Sequence, residues 1–424
     1  MFIDNDSTQK QNISWMVKSF SILIPLMPLL DVYEINGVPV SFGEFFLIIF
    51  IIFSFFTLNN RIYIFSKLYL NFVLYAFMLS LLLGILGDYF LFSDWIVKWI
   101  RILIYTYTLL IMSGKYLNVR ILSRGLIRIG VFISIVQIVQ SLLWYGLHRM
   151  VVLIIPYFKL HYVLSDYREY YAHLMLFGGA TWRPSNFFLE PADFCLYASI
   201  SVICCLFISK TPKVKLSALI TIAVLTSLSS FGIIMLTVIW GYWIIKTQKV
   251  NGINKMIVAI LILIAFVVIA VCTSIIQSVL YRLGTTGEAG STTGSLRLLR
   301  GLSIFAQLPT IHKIFGVGLG DLANYLVQNN ITTPYDTELK PGNEYMNTLS
   351  YILVTTGYLG FSIFLSFVVS IYVKYRKYYI RIFIICWIIA SASNANFLNI
   401  EYILPLLVMI SILNGAVSKI KLEK

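Results

Sequence analysis

The stretch R-P-S-N-F-F-L-E-P-A-D-F, Arg183 to Phe194, sets an arginine, a Glu-Pro step and an aspartate at the edge of a membrane-length apolar run. Pro191 is a natural first residue of a helix. Glu190 is therefore expected at or just before a helix start, with Asp193 on the same side one turn further in. Carboxylates at a helix N-terminus meet the macrodipole and cap free N–H groups, and this alone would account for either acid. It does not account for Arg183 or for the pair Phe187 and Phe188. An arginine facing a carboxylate at a membrane surface could form a charged pocket for a polar head group, because ionisable groups near a bilayer are costly to keep.

Three further clusters carry similar chemistry. Arg282 precedes a Gly/Thr/Ser-rich stretch, Gly284 to Ser295, after which Arg297 and Arg300 follow at a spacing that puts both on one helix face. Guanidinium groups bind phosphate oxygens bidentately, each contact being worth about 1.5–3 kcal/mol; a solvated basic face would show the same spacing. The run G-V-G-L-G, Gly316 to Gly320, permits a tight turn, and no strand–helix unit surrounds it to suggest a dinucleotide site. Asn343, Glu344 and Tyr345 open a later apolar run; interfacial aromatic belts explain Tyr345 but not the Asn-Glu pair. Lys98 and Arg101 sit near the end of another run, where snorkelling to the interface competes with phosphate binding. The four histidines, His148, His161, His173 and His312, show no metal-ligand spacing, and no Ser-His-Asp set is visible. Neither a metal nor another cofactor is expected.

These clusters need elements to hold them, and composition says which. The 424 residues are 59% hydrophobic, 15% aromatic and only 12% charged, with mean hydropathy +0.86, whereas soluble domains carry about 25% charged residues. The chain reads as an all-α polytopic membrane protein, a single integral domain over residues 1–424. Its net charge of +14 follows from membrane topology rather than from nucleic-acid binding. The five cysteines lie in apolar runs without CxxC spacing, which implies packing and no disulfide framework. The polar, acid-containing N-terminus lacks the features of a cleaved signal peptide.

A spanning helix needs about 20 apolar residues. About twelve candidates are centred near residues 24, 50, 77, 105, 136, 200, 221, 238, 265, 358, 386 and 405. The seventh and eighth require Leu225–Gly232 to form a very tight hairpin. Most of the 32 lysines and arginines fall on one side of this arrangement, among them Lys67, Lys115, Arg120, Lys210, Lys246, Lys374 and Lys421. By the positive-inside rule that side, with both termini, is cytoplasmic. Two long loops, Leu147 to Pro191 and Ile275 to Asn343, then face outward and are too long for simple connectors. The apolar stretch Met150–Leu164 is broken by Pro156, Lys159 and His161 and reads as interfacial or re-entrant. No Walker, Rossmann or kinase motif is present, which disfavours ATP-driven transport.

The order of these features resembles the bacterial O-antigen polymerase (Wzy) and O-antigen ligase superfamily: many spans, Arg…Glu-Pro opening a helix, a long outer loop with an arginine before a G-V-G-x-G turn, and an Asn-containing helix start. The resemblance covers most of the chain through short, degenerate motifs. It implies a membrane glycosyltransferase (GT-C-like) architecture in the bacterial inner membrane. It also implies a reaction at the outer face on glycans carried by undecaprenyl pyrophosphate, without nucleotide sugar or metal, and a separate chain-length regulator as partner. Arg183 and Glu190 match the family's Arg…Glu-Pro motif; Arg297, and less closely Arg300, matches the loop arginine before Gly316, Gly318 and Gly320. Ligases read His-Asn where this chain has Gly342-Asn343, which favours a polymerase. On this reading the arginines grip the donor pyrophosphate, and Glu190, Asp193 or Glu344 accepts the attacking hydroxyl's proton. A ligase-like transferase and a flippase for lipid-linked oligosaccharides are the alternatives.

Overall fold

The computed structural model describes residues 14–35, 38–57, 66–87, 89–155, 157–160, 183–246, 293–336, 343–375, 378–395 and 397–422. Arg282, Cys272 and the expected span near residue 265 lie outside them.

The described chain is almost entirely helical, as apolar runs of this length require when no water is present to satisfy the backbone. Among the described residues five helices are long and apolar enough to cross a membrane: α3 (Lys67–Leu86), α4 (Phe92–Tyr116), α5 (Val119–Leu147), α6 (Pro191–Ile208) and α12 (Thr348–Lys374). Shorter apolar helices occupy the other expected positions among the described residues: α1 (Trp15–Leu30), α2 (Phe42–Thr57), α7 (Val214–Thr226), α8 (Ser230–Lys246), α13 (Tyr378–Ser393) and the apolar part, Ile400–Leu413, of α14 (Ile400–Leu422). Among the described residues three short helices, α9 (Thr293–Gln307), α10 (Thr310–Phe315) and α11 (Leu322–Gln328), stand between α8 and α12.

Polar residues at helix starts set the boundaries. Ser66 accepts the N–H of Tyr69, Asn118 accepts those of Arg120 and Ile121, and Asn347 accepts that of Ser350. Ser41 and Glu44 form a reciprocal capping box at the start of α2, each side chain accepting the other's backbone N–H at 3.0 Å. The expected tight hairpin is present: Ser227–Ser229 joins α7 to α8, with Leu228 at a positive φ of 51°. Met150–Leu164 is not helical where described; its Lys159–Leu160 strand (β2) pairs antiparallel with Tyr33–Glu34 (β1).

Burial places the core around α6 and α14. Of α6's apolar window 78% is buried, against 33% for α3, and Glu401 through Ile412 of α14 are buried without a break. The bundle's exterior carries exposed Phe56, Ile85, Leu86 and Ile245, as helices facing hydrocarbon require. The loops preceding α2, α6, α8, α12 and α14 share one end of the bundle, tied by bonds from Arg183 to the Leu228 carbonyl and from the Thr348 N–H to the Asn394 carbonyl. Lys67, Lys115, Lys210, Lys213 and Lys374 lie at the opposite helix ends.

An interlock fixes the long segment before α12. Inside α12 Gly357 takes φ 63°, ψ −172°, a conformation essentially confined to glycine, and it breaks the helix ladder. The freed carbonyls of Val354 and Thr355 accept the N–H groups of Val317 and Gly318. Gly316, Gly318 and Gly320 all have positive φ, and a Cβ on Gly316 would lie 2.3 Å from the Thr355 carbonyl oxygen. His312 bonds the Gly316 carbonyl at 2.9 Å and steadies the turn. Gly357→Ala is expected to destabilise the protein by about 1–3 kcal/mol through backbone conformation alone, and by more because its Cβ would sit 2.4 Å from the Ile314 carbonyl oxygen. Thermal unfolding of the variant in detergent micelles checks this; a melting temperature equal to the parent's would refute the interlock.

Candidate functional site

At the loop end of the bundle a cavity of about 450 Å³ opens between the segments preceding α6, α12 and α14 and the end of α1. Its lining includes Glu190, Asp193, Arg297, Asn343, Glu344 and Tyr345, all singled out in the sequence, together with Asp31, Tyr351, Asn394 and Glu401, which were not.

Arg297 is the hub. It projects from α9 and ion-pairs with Glu190 at the start of α6, bonds the Tyr345 hydroxyl, and donates to Asn394 Oδ1 at 3.0 Å. Its own carbonyl accepts the backbone and side-chain N–H groups of Asn347, at 3.0 and 2.7 Å. Burial works against the guanidinium's charge, yet Glu190 and Tyr345 hold its pKa above the usual arginine range. Burial, then the Glu190 carboxylate, pushes the Tyr345 phenol upward as well, so it stays a hydroxyl. Glu190 does occupy the residue before Pro191, but makes no side-chain cap bond. Its carboxylate goes to Arg297 instead, and its side chain stays 45% exposed, open to a ligand.

The other sequence candidates are placed differently. Arg183, matched by motif to the site, donates to the Leu228 carbonyl at 3.3 Å and does not line the cavity; the arginine facing Glu190 is Arg297. Arg300 shares a helix face with Arg297, as its spacing predicts, but is only 3% exposed. All its nitrogens are engaged: Nε with Asp336, and the terminal pair with the carbonyls of Tyr345 (3.1 Å) and Asn343 (2.7 Å). It shapes the loop and does not line the cavity. Lys98 pairs with Glu344 at 2.8 Å and reaches the Gly320 carbonyl at 3.3 Å, so it positions that acid beneath the cavity. Arg101 neither snorkels nor faces the cavity: it is buried against Glu44 of the capping box, which Tyr105 also bonds at 3.0 Å. The interior bond is needed because a guanidinium there without a partner would be costly.

Asp31 was missed because its loop, D-V-Y-E-I-N-G-V-P-V-S, reads as a short connector. Ser41 donates to it, while burial, and secondarily the Glu44 carboxylate, pushes its pKa up to about 7. Asp321, beside the glycine turn, is also buried, and this raises its pKa to about 7 against the pull of Lys98. Asn394 lies in the unremarkable loop S-A-S-N-A-N. Glu401 could have been found: an ionisable residue within an apolar run is a functional suspect by default. Asp31, Glu190, Asp193, Glu344 and Glu401 bring five carboxylates to the lining, and Arg297 is the one cation among the described lining residues. Such a site can accept hydrogen bonds and protons readily and can stabilise one anionic group at Arg297.

The fold and the cavity define the class: an all-α membrane protein with an acid-rich polar cavity at one end of its bundle. No protein-family model matches the chain, and no curated protein sequence matches it.

Asp31 gives a pH test. Its folded pKa, about 7, exceeds the ordinary 3.8, so folding favours its protonated form. That stability is full below about pH 4 and is lost as pH rises through 7. The melting temperature of Asp31→Asn relative to the parent should therefore climb between pH 4 and pH 8; a difference constant with pH would show Asp31 to be ionised throughout.

Proposed function

We propose that the protein is a polysaccharide (O-antigen or capsule) polymerase, a metal-independent glycosyltransferase of the bacterial inner membrane with both termini cytoplasmic. It joins undecaprenyl-pyrophosphate-linked oligosaccharide repeat units at the outer face. The observation that carries this reading is the Arg297–Glu190 pair, which brings the two sequence motifs of the family resemblance together at the mouth of one cavity. The loop end that holds the cavity is also the end away from most lysines and arginines, the side the charge pattern assigns to the exterior.

In this reaction an acceptor hydroxyl oxygen attacks the donor's anomeric carbon, the carbon–oxygen bond to pyrophosphate breaks, and the lipid pyrophosphate leaves with the bonding electrons. Arg297 stabilises charge on the departing phosphate, the kind of contribution that is commonly the largest. Glu190, exposed and already held by Arg297, takes the hydroxyl proton; Asp193 and Glu344 are the neighbouring carboxylates available for the same task.

A second reading has its own support. Buried Asp31 and Glu401 beside a cavity between membrane helices are what a transporter coupled to protons would use, so a flippase for lipid-linked oligosaccharide is the alternative.

Purified protein in lipid, given an undecaprenyl-pyrophosphate-linked repeat unit without nucleotide or metal, should yield a ladder spaced by one repeat, sized by mass spectrometry. Glu190→Gln and Arg297→Ala should each lower the rate at least about 100-fold. Absence of a ladder alongside transbilayer movement of the substrate in vesicles would replace the polymerase with the flippase. Transfer only to an added non-lipid-linked glycan acceptor would replace it with a ligase.

A further inference from the structure

Three residues on the cavity's inner wall keep polar atoms without partners. Tyr351, Asn394 and Glu401 are 6%, 4% and 7% exposed, and among the described residues the Tyr351 hydroxyl, Asn394 Nδ2 and Glu401 Oε2 are buried with no hydrogen bond. All three residues line the cavity. Leaving a buried polar group unsatisfied costs about 1–3 kcal/mol each, so three such groups on residues that line one cavity mark a place where a ligand can supply missing bonds.

The chemistry of the wall narrows the ligand. A phosphate would find no cation on this wall, where Asp31 and Glu401 stand; the one cation among the described lining residues is Arg297, on the side of Glu190 and Tyr345. A cation could satisfy the acids but could not accept from the Tyr351 hydroxyl and Asn394 Nδ2. Sugar hydroxyls both donate and accept, and so match the mixed set. The raised pKa of Asp31 supports a neutral ligand further, because this acid carries its proton part of the time near neutrality. Tyr345, Tyr351 and Phe397 supply apolar ring surface for the C–H faces of a pyranose. A volume of about 450 Å³ lies toward the lower end of the roughly 300–1,000 Å³ typical of ligand pockets, which suits one or two sugar rings.

We propose that the inner wall formed by Tyr351, Asn394, Glu401 and Asp31 is a binding subsite for an uncharged glycosyl unit, separate from the anion-stabilising position at Arg297. It deepens the polymerase reading by assigning the acceptor's terminal sugar to this wall, and rests on that reading only for the name acceptor; binding of a neutral sugar does not require the transfer reaction.

Saturation-transfer NMR on the protein in lipid nanodiscs tests it with four probes: the methyl glycosides of a neutral hexose and of an N-acetylhexosamine, glucosamine as the amine, and inorganic pyrophosphate. At least one neutral glycoside should bind, and pyrophosphate should not displace it. Glu401→Gln and the conservative Tyr351→Phe should each weaken that binding about tenfold, with a ligand-free melting temperature no lower than the parent's showing that the fold is kept. Displacement by pyrophosphate, a preference for glucosamine over the N-acetyl sugar, or glycoside binding unaffected in both wall variants would each overturn the assignment. A bound glycoside in a protein that builds no ladder would uphold the subsite while removing the polymerase. A ladder-forming protein whose wall variants bind normally would do the reverse.

Discussion

A guanidinium that is mostly buried must be answered on every side, and much of this site is arranged around that requirement for Arg297. Its partners come from three separate stretches of chain: Glu190 before α6, Tyr345 and Asn347 before α12, and Asn394 before α14. Removing water from a charge is costly enough that such a group settles only where partners converge. The same demand that seats Arg297 therefore draws together the loops that wall the cavity. Glu190 is left both bonded and reachable, a combination an ordinary helix cap would not produce.

Around this hub the neighbouring charges act as fasteners. Arg300 bonds Asp336 and two loop carbonyls, and Lys98 holds Glu344 against the glycine turn. Arg101 closes the capping box of α2 from the inside. The break at Gly357 acts at a greater distance: by releasing two carbonyls of α12 to the Gly316–Gly320 turn, it ties the segment between α10 and α11 to a helix that crosses the bundle. The loop end is thus held by specific polar bonds, where apolar packing by itself would leave several arrangements close in energy.

The electrostatic balance of the cavity bears on chemistry. Five carboxylates against one arginine make the interior a place for hydroxyl groups and proton exchange, with anion stabilisation confined to one side. A transfer between two glycans needs both: a place where a hydroxyl can lose its proton and a place where a phosphate can depart.

Much of the architecture was legible because it follows from the medium. A chain with so few charges and long apolar runs must form helices, and helices occupy the expected positions throughout the described residues, including the tight hairpin at Ser227–Ser229. Local rules also carried the Glu190–Pro191 helix start and the shared face of Arg297 and Arg300. What local rules could not supply was partnership. Whether an arginine meets a phosphate, a carboxylate or a carbonyl depends on which loops lie beside it, and Glu190 is 107 positions from Arg297 in the chain. For the same reason Asp31 and Asn394 were invisible in short connectors, and so were the bonds of Arg183 and Arg300 to loop carbonyls and of Arg101 to Glu44. The sequence by itself determined the medium, the helices and the pool of charged groups. Only the tertiary structure decided which of those charges are consumed in holding the fold and which are left facing a cavity, because the cost of burying a charge is settled by neighbours that sequence distance does not reveal.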